Sequence, residues 1–286
     1  MTIPGLLALR TTDWQAMLPA SLALGATTAL ILLGVIQGAT EFLPISSSGH
    51  LVIFADWFGV SIEGGLSREI ALHFGTLVAV IVFCVSDIRA MLARGSAGLW
   101  KLVIGASVVT AGLAFPLRNT IETTLNNTFS AGCFLLGTTV LLVFVAPQDD
   151  KKQHLSIQDG TWSHALIMGL FQSLALAPGI SRAGATIVGA LLLGYRRPDA
   201  VRIAFLISIP AVGGAVIMET MKDHSAPGHG VSGVEMGGDM IAAMAVACVV
   251  GTLALRFIAV SVDARTLRLF GAYTALMGVA AIITGW

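Results

Sequence analysis

The chain has 286 residues, of which 56% are hydrophobic and only 11% are charged. Soluble globular domains carry about 25% charged residues, so this composition excludes that class and predicts a protein that crosses a lipid bilayer several times. The formal net charge is zero, which excludes the basic surface that nucleic-acid binding requires.

The chain begins with a segment that fits neither a leader peptide nor a membrane span. Residues 1–21 have mixed polarity and lack the charged, apolar and cleavage regions of a signal peptide, so we interpret them as an N-terminal extension. In the next stretch, 22–60, two apolar pieces flank a polar cluster rich in Pro, Gly and Ser. Each piece is short for a crossing of ~17–25 residues. A broken backbone at membrane depth must be buried or line a wet cavity, so we predict a re-entrant helical hairpin.

Further along the chain, six apolar stretches are long enough to span the bilayer, and a second broken stretch lies among them. The elements follow in the order span 69–85, span 102–117, span 129–146, hairpin 164–195, span 203–219, span 241–255 and span 269–286. With this topology most basic residues fall on one face, which the positive-inside rule identifies as the cytoplasmic face. They are Arg89, Arg94, Lys101, Lys151, Lys152, Arg196, Arg197, Arg202, Arg256, Arg265 and Arg268.

Short motifs recur at an offset near 133–135 residues: the run from Gly34 to Gln37 resembles that from Gly169 to Gln172. Each half of the chain then holds one hairpin and three spans, with the repeats at approximately 22–146 and 164–286 of a single membrane domain. Because three is odd, the second copy is inverted and the hairpin tips can meet near the midplane. The predicted fold class is an all-α polytopic membrane protein with an inverted-topology repeat of six transmembrane helices and two re-entrant hairpins.

The first hairpin carries a carboxylate, hydroxyls and a histidine around its break at Pro44. Gln37 and Glu41 are four residues apart and share one helical face. Ser47 and His50 are three residues apart at the start of the next half-helix. A serine beside a histidine is the minimum set for an activated nucleophile, and histidine can transfer protons near neutral pH.

The second hairpin carries an arginine directly after its break. Ser181 can cap the half-helix that follows, and Arg182 and Thr186 are four residues apart on it. An arginine beside the free N–H groups of a helix N-terminus makes an anion site, and its planar fork suits phosphate or carboxylate. Arg182 and Glu41 together form an ion pair or hold a phosphate and a divalent cation.

Structural interpretations of the same residues stay open at this point. Glu41 and Arg182 can be a structural ion pair, and Gln37 a hydrogen-bonding residue without a chemical role. Several side chains have equally ordinary explanations: caps for Ser46, Ser47 and Ser48, a core histidine for His50, and a hydroxyl bonded to its own helix for Thr186. His73 and His164, which border or enter apolar runs, remain ambiguous.

These motifs resemble those of a known family. The patterns Gln37-x-x-x-Glu41, Pro44-x-Ser-Ser-x-Gly-His50 and Pro178-Gly-x-Ser181-Arg182-x-x-x-Thr186 are similar to those of the undecaprenyl-diphosphate phosphatases of the bacitracin-resistance type. The similarity extends from about residue 22 to the end of the chain. The sequence departs from the family at two positions: Gln37 stands where many members have Glu, and Ala183 where the motif usually has Ser.

The resemblance implies an enzyme of the bacterial inner membrane that removes the terminal phosphate of undecaprenyl diphosphate, which recycles a lipid carrier for cell-wall synthesis and confers bacitracin resistance. It implies a site open to the periplasm, a divalent cation (Mg²⁺ or Ca²⁺), a polyprenyl diphosphate and membrane lipids as partners, and allows a homodimer. It assigns catalysis to Ser47, His50 and Glu41, substrate binding to Arg182, Ser181, Thr186 and Ser46, and the metal to Glu41 and Gln37.

These assignments predict that Ser47 attacks the terminal phosphorus with His50 as base, or that activated water attacks directly. Arg182 and the cation neutralise the charge of the transferred phosphoryl group. The alternative is a transporter or flippase of an anionic lipid phosphate, because inverted repeats with paired hairpins also bind anions in secondary transporters. A transporter would need Arg182 but not Ser47 beside His50.

Overall fold

The protein is all-α, as its composition predicts. The computed structural model describes residues 25–58, 66–93, 96–146, 154–225 and 237–285. These residues hold no β-strand and only an isolated bridge between Leu155 and Tyr195. Their helices are α1 (Ala26–Phe42), α2 (Ser47–Phe58), α3 (Leu66–Phe83), α4 (Val85–Leu92), α5 (Ala97–Thr120), α6 (Thr128–Val140), α7 (Trp162–Leu174), α8 (Arg182–Leu192), α9 (Arg197–Ser225), α10 (Gly238–Ser261) and α11 (Ala264–Thr284). The predicted extension at 1–21 lies outside the described residues.

Five of the described helices are long and apolar enough to cross a membrane, and they coincide with five predicted spans. Their apolar parts are Ala97–Leu117, Thr128–Val145, Arg197–Met218, Gly238–Ser261 and Ala264–Thr284. Large apolar side chains on these helices remain exposed, as Phe144 and Val260 show with 78% and 85% of their surface uncovered. Hydrocarbon accommodates such surface, so the chain is a polytopic membrane protein.

The remaining predicted span, 69–85, corresponds to α3 and ends where the helix is broken; it is a sixth crossing if the bent pair Ala71–Phe83 and Val85–Leu92 forms one span. Helix α3 ends at Phe83, and α4 leaves Cys84 at an angle of 62°. Helix α4 carries Asp87, whose buried carboxylate accepts hydrogen bonds from the Arg202 guanidinium at the start of α9. A carboxylate is costly in hydrocarbon unless it is paired. The chain therefore turns away from the direction of α3 just before Asp87, at the place where Arg202 can pair with it.

Both predicted hairpins contain the expected break between two short helices. Helices α1 and α2 are separated by residues 43–46, and helices α7 and α8 by residues 175–181. Each break contains a proline and a residue in the left-handed region: Pro44 with Ser46 (φ 72°), and Pro178 with Gly179 (φ 108°). Proline removes a backbone donor and a positive φ reverses the chain direction, so neither helix pair continues as one rod.

Helices α6, α7 and α11 are among those that begin at a residue whose side chain accepts a backbone N–H. The residues that precede them are Asn127, Thr161 and Asp263. Each side chain accepts the backbone N–H of the residue three positions later, at 2.9, 3.1 and 2.6 Å respectively. Each cap contributes about 1 kcal/mol. The bond from the backbone N–H of Thr266 also lowers the pKa of the Asp263 carboxyl.

The two halves of the chain exchange equivalent packing contacts. Helix α1 of the first half packs against α10 of the second, and α7 of the second packs against α5 of the first. The motif glycines lie at both contacts: a Cβ on Gly34 would be 2.6 Å from the Ala243 carbonyl oxygen, and one on Gly169 would be 2.9 Å from that of Ala106. These contacts are reciprocal between the halves, while the inverted topology of the repeat stays a prediction.

The close approach of α1 and α10 makes Gly38→Ala a destabilising substitution. The new Cβ would lie 2.6 Å from the Ala247 carbonyl oxygen and 2.9 Å from the Gly251 backbone nitrogen. Backbone atoms cannot rotate away, so we expect a loss of ~1–3 kcal/mol in the free energy of unfolding. Thermal unfolding in detergent measures it. The control is Gly112→Ala on α5, where no atom lies within 4 Å; a lower midpoint in this variant than in Gly38→Ala would contradict the prediction.

The centre of the molecule is occupied by α8. Every residue of this short helix from Ala183 to Leu191 is buried, and α9, α7, α1 and the π-helical segment Leu141–Val145 that continues α6 surround it. Phe205 of α9 and Tyr195, which follows α8, belong to the same core cluster. A helix enclosed on all sides has little freedom to move, so Arg182 at its first position has a fixed backbone.

Candidate active site

The breaks of the two hairpins contact each other, as the sequence predicts. A Cβ on Gly49 would lie 2.9 Å from the Gly179 Cα, and one on Gly184 would lie 3.3 Å from the Pro44 Cβ. The Ser181 hydroxyl also donates to the Leu43 carbonyl at 3.5 Å. The N-termini of α2 and α8 therefore converge on one place, and helix N-termini favour anions.

The second break is held by a residue that the sequence analysis did not select. The Thr138 hydroxyl of α6 donates to the Gly179 carbonyl at 2.8 Å and accepts the Ser181 backbone N–H at 2.9 Å. Gly179 also approaches α6 so closely that a Cβ would lie 2.3 Å from the Ala131 carbonyl oxygen. Its positive φ and this close approach both require glycine.

Glu41, at the end of α1, is the centre of the site. Its side chain is buried; Oε2 accepts hydrogen bonds from Gln37 Nε2 at 3.0 Å and from the Ser47 hydroxyl. Its other oxygen, Oε1, lies 3.4 Å from Arg182 Nη1. The predicted pairing of the acidic cluster with the arginine is therefore observed, and it brings a hydroxyl, a carboxylate and a guanidinium together.

His73 of α3 also belongs to this group. Its Nδ1 lies 3.0 Å from Gln37 Nε2 and 3.8 Å from Glu41 Oε2. The Thr76 hydroxyl, one turn further along α3, lies 3.4 Å from the same amide nitrogen. His73 was ambiguous from the sequence, although a histidine inside a predicted span is itself a signal of function.

The structure does not have the predicted contact between Ser47 and His50. The Ser47 hydroxyl donates to Glu41, while His50 turns away: its Nδ1 lies 2.7 Å from the Ser46 carbonyl oxygen and its Nε2 2.9 Å from the Tyr273 hydroxyl. The expectation that His50 is the base for Ser47 is corrected on this point. Helical spacing places both residues on one face of α2, but the break brings Glu41 closer.

Three hydroxyls predicted to bind phosphate have hydrogen-bond partners within the protein, and their contact with phosphate stays a prediction. Ser46 and Ser181 accept the backbone N–H groups of Gly49 and Gly184 and so cap α2 and α8. The Thr186 hydroxyl donates to the Arg182 carbonyl at 2.7 Å. All three hydroxyl residues are buried. Among the predicted phosphate-binding residues, Arg182 is the one that lines the pocket beside Glu41.

This pocket lies between α1, α8 and α9. Its polar lining comes from Glu41, Arg182 and Ser208, and Phe42, Ala183, Ala204 and Phe205 complete it. Ser208 of α9 was not selected from the sequence, because a single serine in an apolar span carries no signal there. The guanidinium and the carboxylate thus lie side by side in a small pocket whose remaining lining is mainly apolar.

The predicted cation ligands, Glu41 and Gln37, offer a partial set of oxygens. Among the described residues no three His, Cys, Asp or Glu side chains are placed to hold a metal ion. Gln37 Oε1, however, is buried without a hydrogen-bond partner in the described part of the chain. One carboxylate and an unsatisfied amide oxygen fit Mg²⁺ or Ca²⁺, which bind oxygen and take further ligands from water and phosphate.

Comparison with known proteins shows the family of the chain. The model of the family "Bacitracin resistance protein BacA" matches residues 30–280. The undecaprenyl-diphosphatase of Desulforapulum autotrophicum is 34% identical over 279 residues, covering 90% of this chain and 97% of that protein. Those of Thermosipho africanus and Rubrobacter xylanophilus are 35% and 37% identical, covering 89% and 85% of this chain and 99% and 92% of theirs. The chain therefore belongs to the bacitracin resistance protein BacA family.

Proposed function

We propose that the protein hydrolyses undecaprenyl diphosphate to undecaprenyl phosphate and inorganic phosphate. The observation that carries this proposal is the arrangement at Glu41, whose carboxylate accepts the Ser47 hydroxyl on one oxygen and lies beside Arg182 on the other. A nucleophile, a base and a charge-neutralising group are the parts that phosphoryl transfer requires. The relatives named undecaprenyl-diphosphatase supply the substrate.

In the proposed reaction Ser47 Oγ attacks the terminal phosphorus as Glu41 Oε2 accepts its proton. The bond from phosphorus to the bridging oxygen breaks, and undecaprenyl phosphate leaves with the bridging oxygen. Arg182 neutralises charge on the equatorial oxygens of the transferred group. Water then attacks the phosphoserine and gives its proton to a base; the bond from phosphorus to Ser47 Oγ breaks, inorganic phosphate leaves, and Oγ takes back the proton held by Glu41. We assign the base to His50, whose Nε2 is its one acceptor nitrogen and takes the proton when the Tyr273 hydroxyl that donates to it turns away.

We further propose that Glu41 and Gln37 hold a divalent cation, Mg²⁺ or Ca²⁺. When bound, such an ion would neutralise diphosphate charge in a site that has a single guanidinium beside its carboxylate. Gln37 binds the ion through Oε1, which requires its amide to turn from the orientation in which Nε2 faces Glu41.

We expect removal of divalent cations with EDTA to reduce phosphate release by wild-type protein, and Mg²⁺ or Ca²⁺ to restore it. Gln37→Glu should bind the ion more tightly, because a second carboxylate replaces a neutral amide. The cation concentration for half-maximal rate should therefore fall by about tenfold, an effect of ~1.4 kcal/mol. Titration of chelated protein with each ion measures it. An unchanged half-maximal concentration would argue against Gln37 as a ligand.

We place the protein in the bacterial inner membrane with its site open to the periplasm. The connections rich in basic residues are predicted to face the cytoplasm, and we place the site on the opposite side. The polyprenyl tail remains in lipid against the exposed apolar faces, while the diphosphate enters the pocket beside Arg182. The site residues named above all come from one chain, so a homodimer would carry two such sites.

The direct test is phosphate release from undecaprenyl diphosphate by purified protein in detergent. A phosphatase needs no membrane gradient, so wild-type protein should release inorganic phosphate with multiple turnovers. A transporter or flippase of anionic lipid would release none under these conditions. Protein that binds the lipid but releases no phosphate with Mg²⁺ or Ca²⁺ present would overturn the proposal.

A further inference from the structure

The acceptor nitrogen of His50 is covered by a residue far away in the sequence. His50 Nδ1 lies 2.7 Å from the Ser46 carbonyl oxygen, and a carbonyl only accepts, so neutral His50 carries its proton on Nδ1. Its Nε2 is then an acceptor, and the Tyr273 hydroxyl of α11, 2.9 Å away, donates to it. The partners on both sides therefore assign the tautomer of the ring.

The same tyrosine also fixes the plane of the imidazole. The rings of His50 and Tyr273 are nearly parallel, with centroids 5.6 Å apart and an interplanar angle of 11°. Phe54, one turn along α2, stacks on His50 as well, at 6.2 Å and 21°. His50 is 1% exposed whereas Tyr273 is 38% exposed. Tyr273 thus stands between a buried imidazole and the open surface.

The placement of Tyr273 is supported by the packing of its helix. The neighbouring Thr274 is buried, and its hydroxyl lies 2.9 Å from that of Thr139 on α6. A Cβ on Gly271, two residues before Tyr273, would lie 2.4 Å from the Val143 side chain, so α11 contacts α6 closely there. These contacts set the rotation and height of α11, and thereby direct Tyr273 toward α2.

We propose that Tyr273 is a positioning residue for His50. Between turnovers its hydroxyl bond to Nε2 and its stacked ring keep the imidazole in one plane and one tautomer, and the hydroxyl gives up that bond when Nε2 accepts a proton. The kinetic part of this proposal rests on the proposed diphosphatase function; the structural part does not. No feature of the sequence marked Tyr273, which lies 223 residues from His50 in the middle of an apolar span.

Tyr273→Phe removes the hydroxyl and keeps the stacked ring. We expect kcat for phosphate release from undecaprenyl diphosphate to fall about tenfold, as for loss of one hydrogen bond, with KM changed less than twofold. His50→Gln should lower kcat further. The double variant, His50→Gln with Tyr273→Phe, should have the same kcat as His50→Gln alone, because Tyr273 acts through His50. If the loss of kcat in the double variant equals the product of the losses in the two single variants, the proposal is overturned.

A second readout needs no turnover. In protein labelled with ¹⁵N-histidine, the resonances of His50 are identified by their absence from the His50→Gln spectrum. Tyr273→Phe should shift the His50 Nε2 resonance while Nδ1 remains protonated. Tyr195→Phe, the control, removes the hydroxyl of another tyrosine, which lies 2.7 Å from His164 Nδ1 outside the site, and should leave both His50 resonances and kcat unchanged. A His50 Nε2 resonance that is the same in wild type and Tyr273→Phe would overturn the proposal. Wild-type protein without phosphatase activity would instead refute the proposed function. The NMR spectra alone would then test the contact between Tyr273 and His50.

Discussion

Ser47→Ala is expected to lower phosphate release by at least ~10³-fold, which is within the range known for loss of a group that acts directly in the chemistry. The hydroxyl is the proposed nucleophile, and its hydrogen bond to Glu41 directs the proton to that carboxylate. Multiple-turnover assays with undecaprenyl diphosphate measure the effect. Brief incubation with substrate labelled on the terminal phosphate should also leave label on wild-type protein at Ser47.

The matched control is Ser48→Ala, one residue further along α2. Its hydroxyl lies 3.4 Å from that of Ser46, and it has no contact with Glu41 among the described hydrogen bonds. We expect this variant to retain activity within a few-fold of wild type. Full turnover by Ser47→Ala would exclude the covalent route and favour direct attack by water. Labelled phosphate bound to any other residue would contradict the assignment of Ser47.

Arg182→Met should reduce phosphate release by ~10³–10⁵-fold, the range known for arginines that stabilise a transferring phosphoryl group. Methionine keeps a flexible chain of similar length but removes the charge. Glu41 also loses its guanidinium partner at Oε1, so the substitution leaves a buried carboxylate with less compensation. Steady-state kinetics should show the main loss in kcat, since the charge to be neutralised develops during the reaction.

Two comparisons separate this loss of chemistry from a loss of folding. Arg265→Met removes an exposed arginine near the start of α11, outside the site, and should leave kcat unchanged. Arg182→Lys restores charge without the planar fork and should recover part of the rate. If thermal unfolding of Arg182→Met matches wild type and phosphate release is also unchanged, Arg182 has no role in catalysis.

The helix breaks could be predicted because their causes are local. Proline and glycine at Pro44, Pro178 and Gly179 interrupt helices wherever the chain is placed, and the apolar runs between them have the length of a membrane crossing. The approach of Glu41 to Arg182 was also predictable, since the sequence predicts two hairpins from opposite faces, and their breaks would lie close together. These parts of the site follow from patterns within one half of the chain and from the relation between the halves.

The remaining contacts depend on packing between distant helices. His73 reaches Gln37 across the α1–α3 contact, and Tyr273 reaches His50 from the last helix of the chain. Neither the spacing of residues within a helix nor the composition of the chain predicts a contact between helices so far apart in the sequence. Ser47 was assigned to the wrong neighbour for a related reason: the left-handed Ser46 turns α2 back toward the end of α1, which helical spacing alone does not reveal.

The enclosure of α8 has a consequence for biogenesis. Its eleven residues are too few to cross the bilayer, and Arg182 at its start is costly in hydrocarbon. The translocon therefore cannot release this segment into lipid as an independent unit. Its polar end finds Glu41, 141 residues earlier in the chain, only after the first half has been inserted. Variants that weaken the junction of the two halves should accordingly be inserted normally and then be degraded by membrane proteases as unassembled chains.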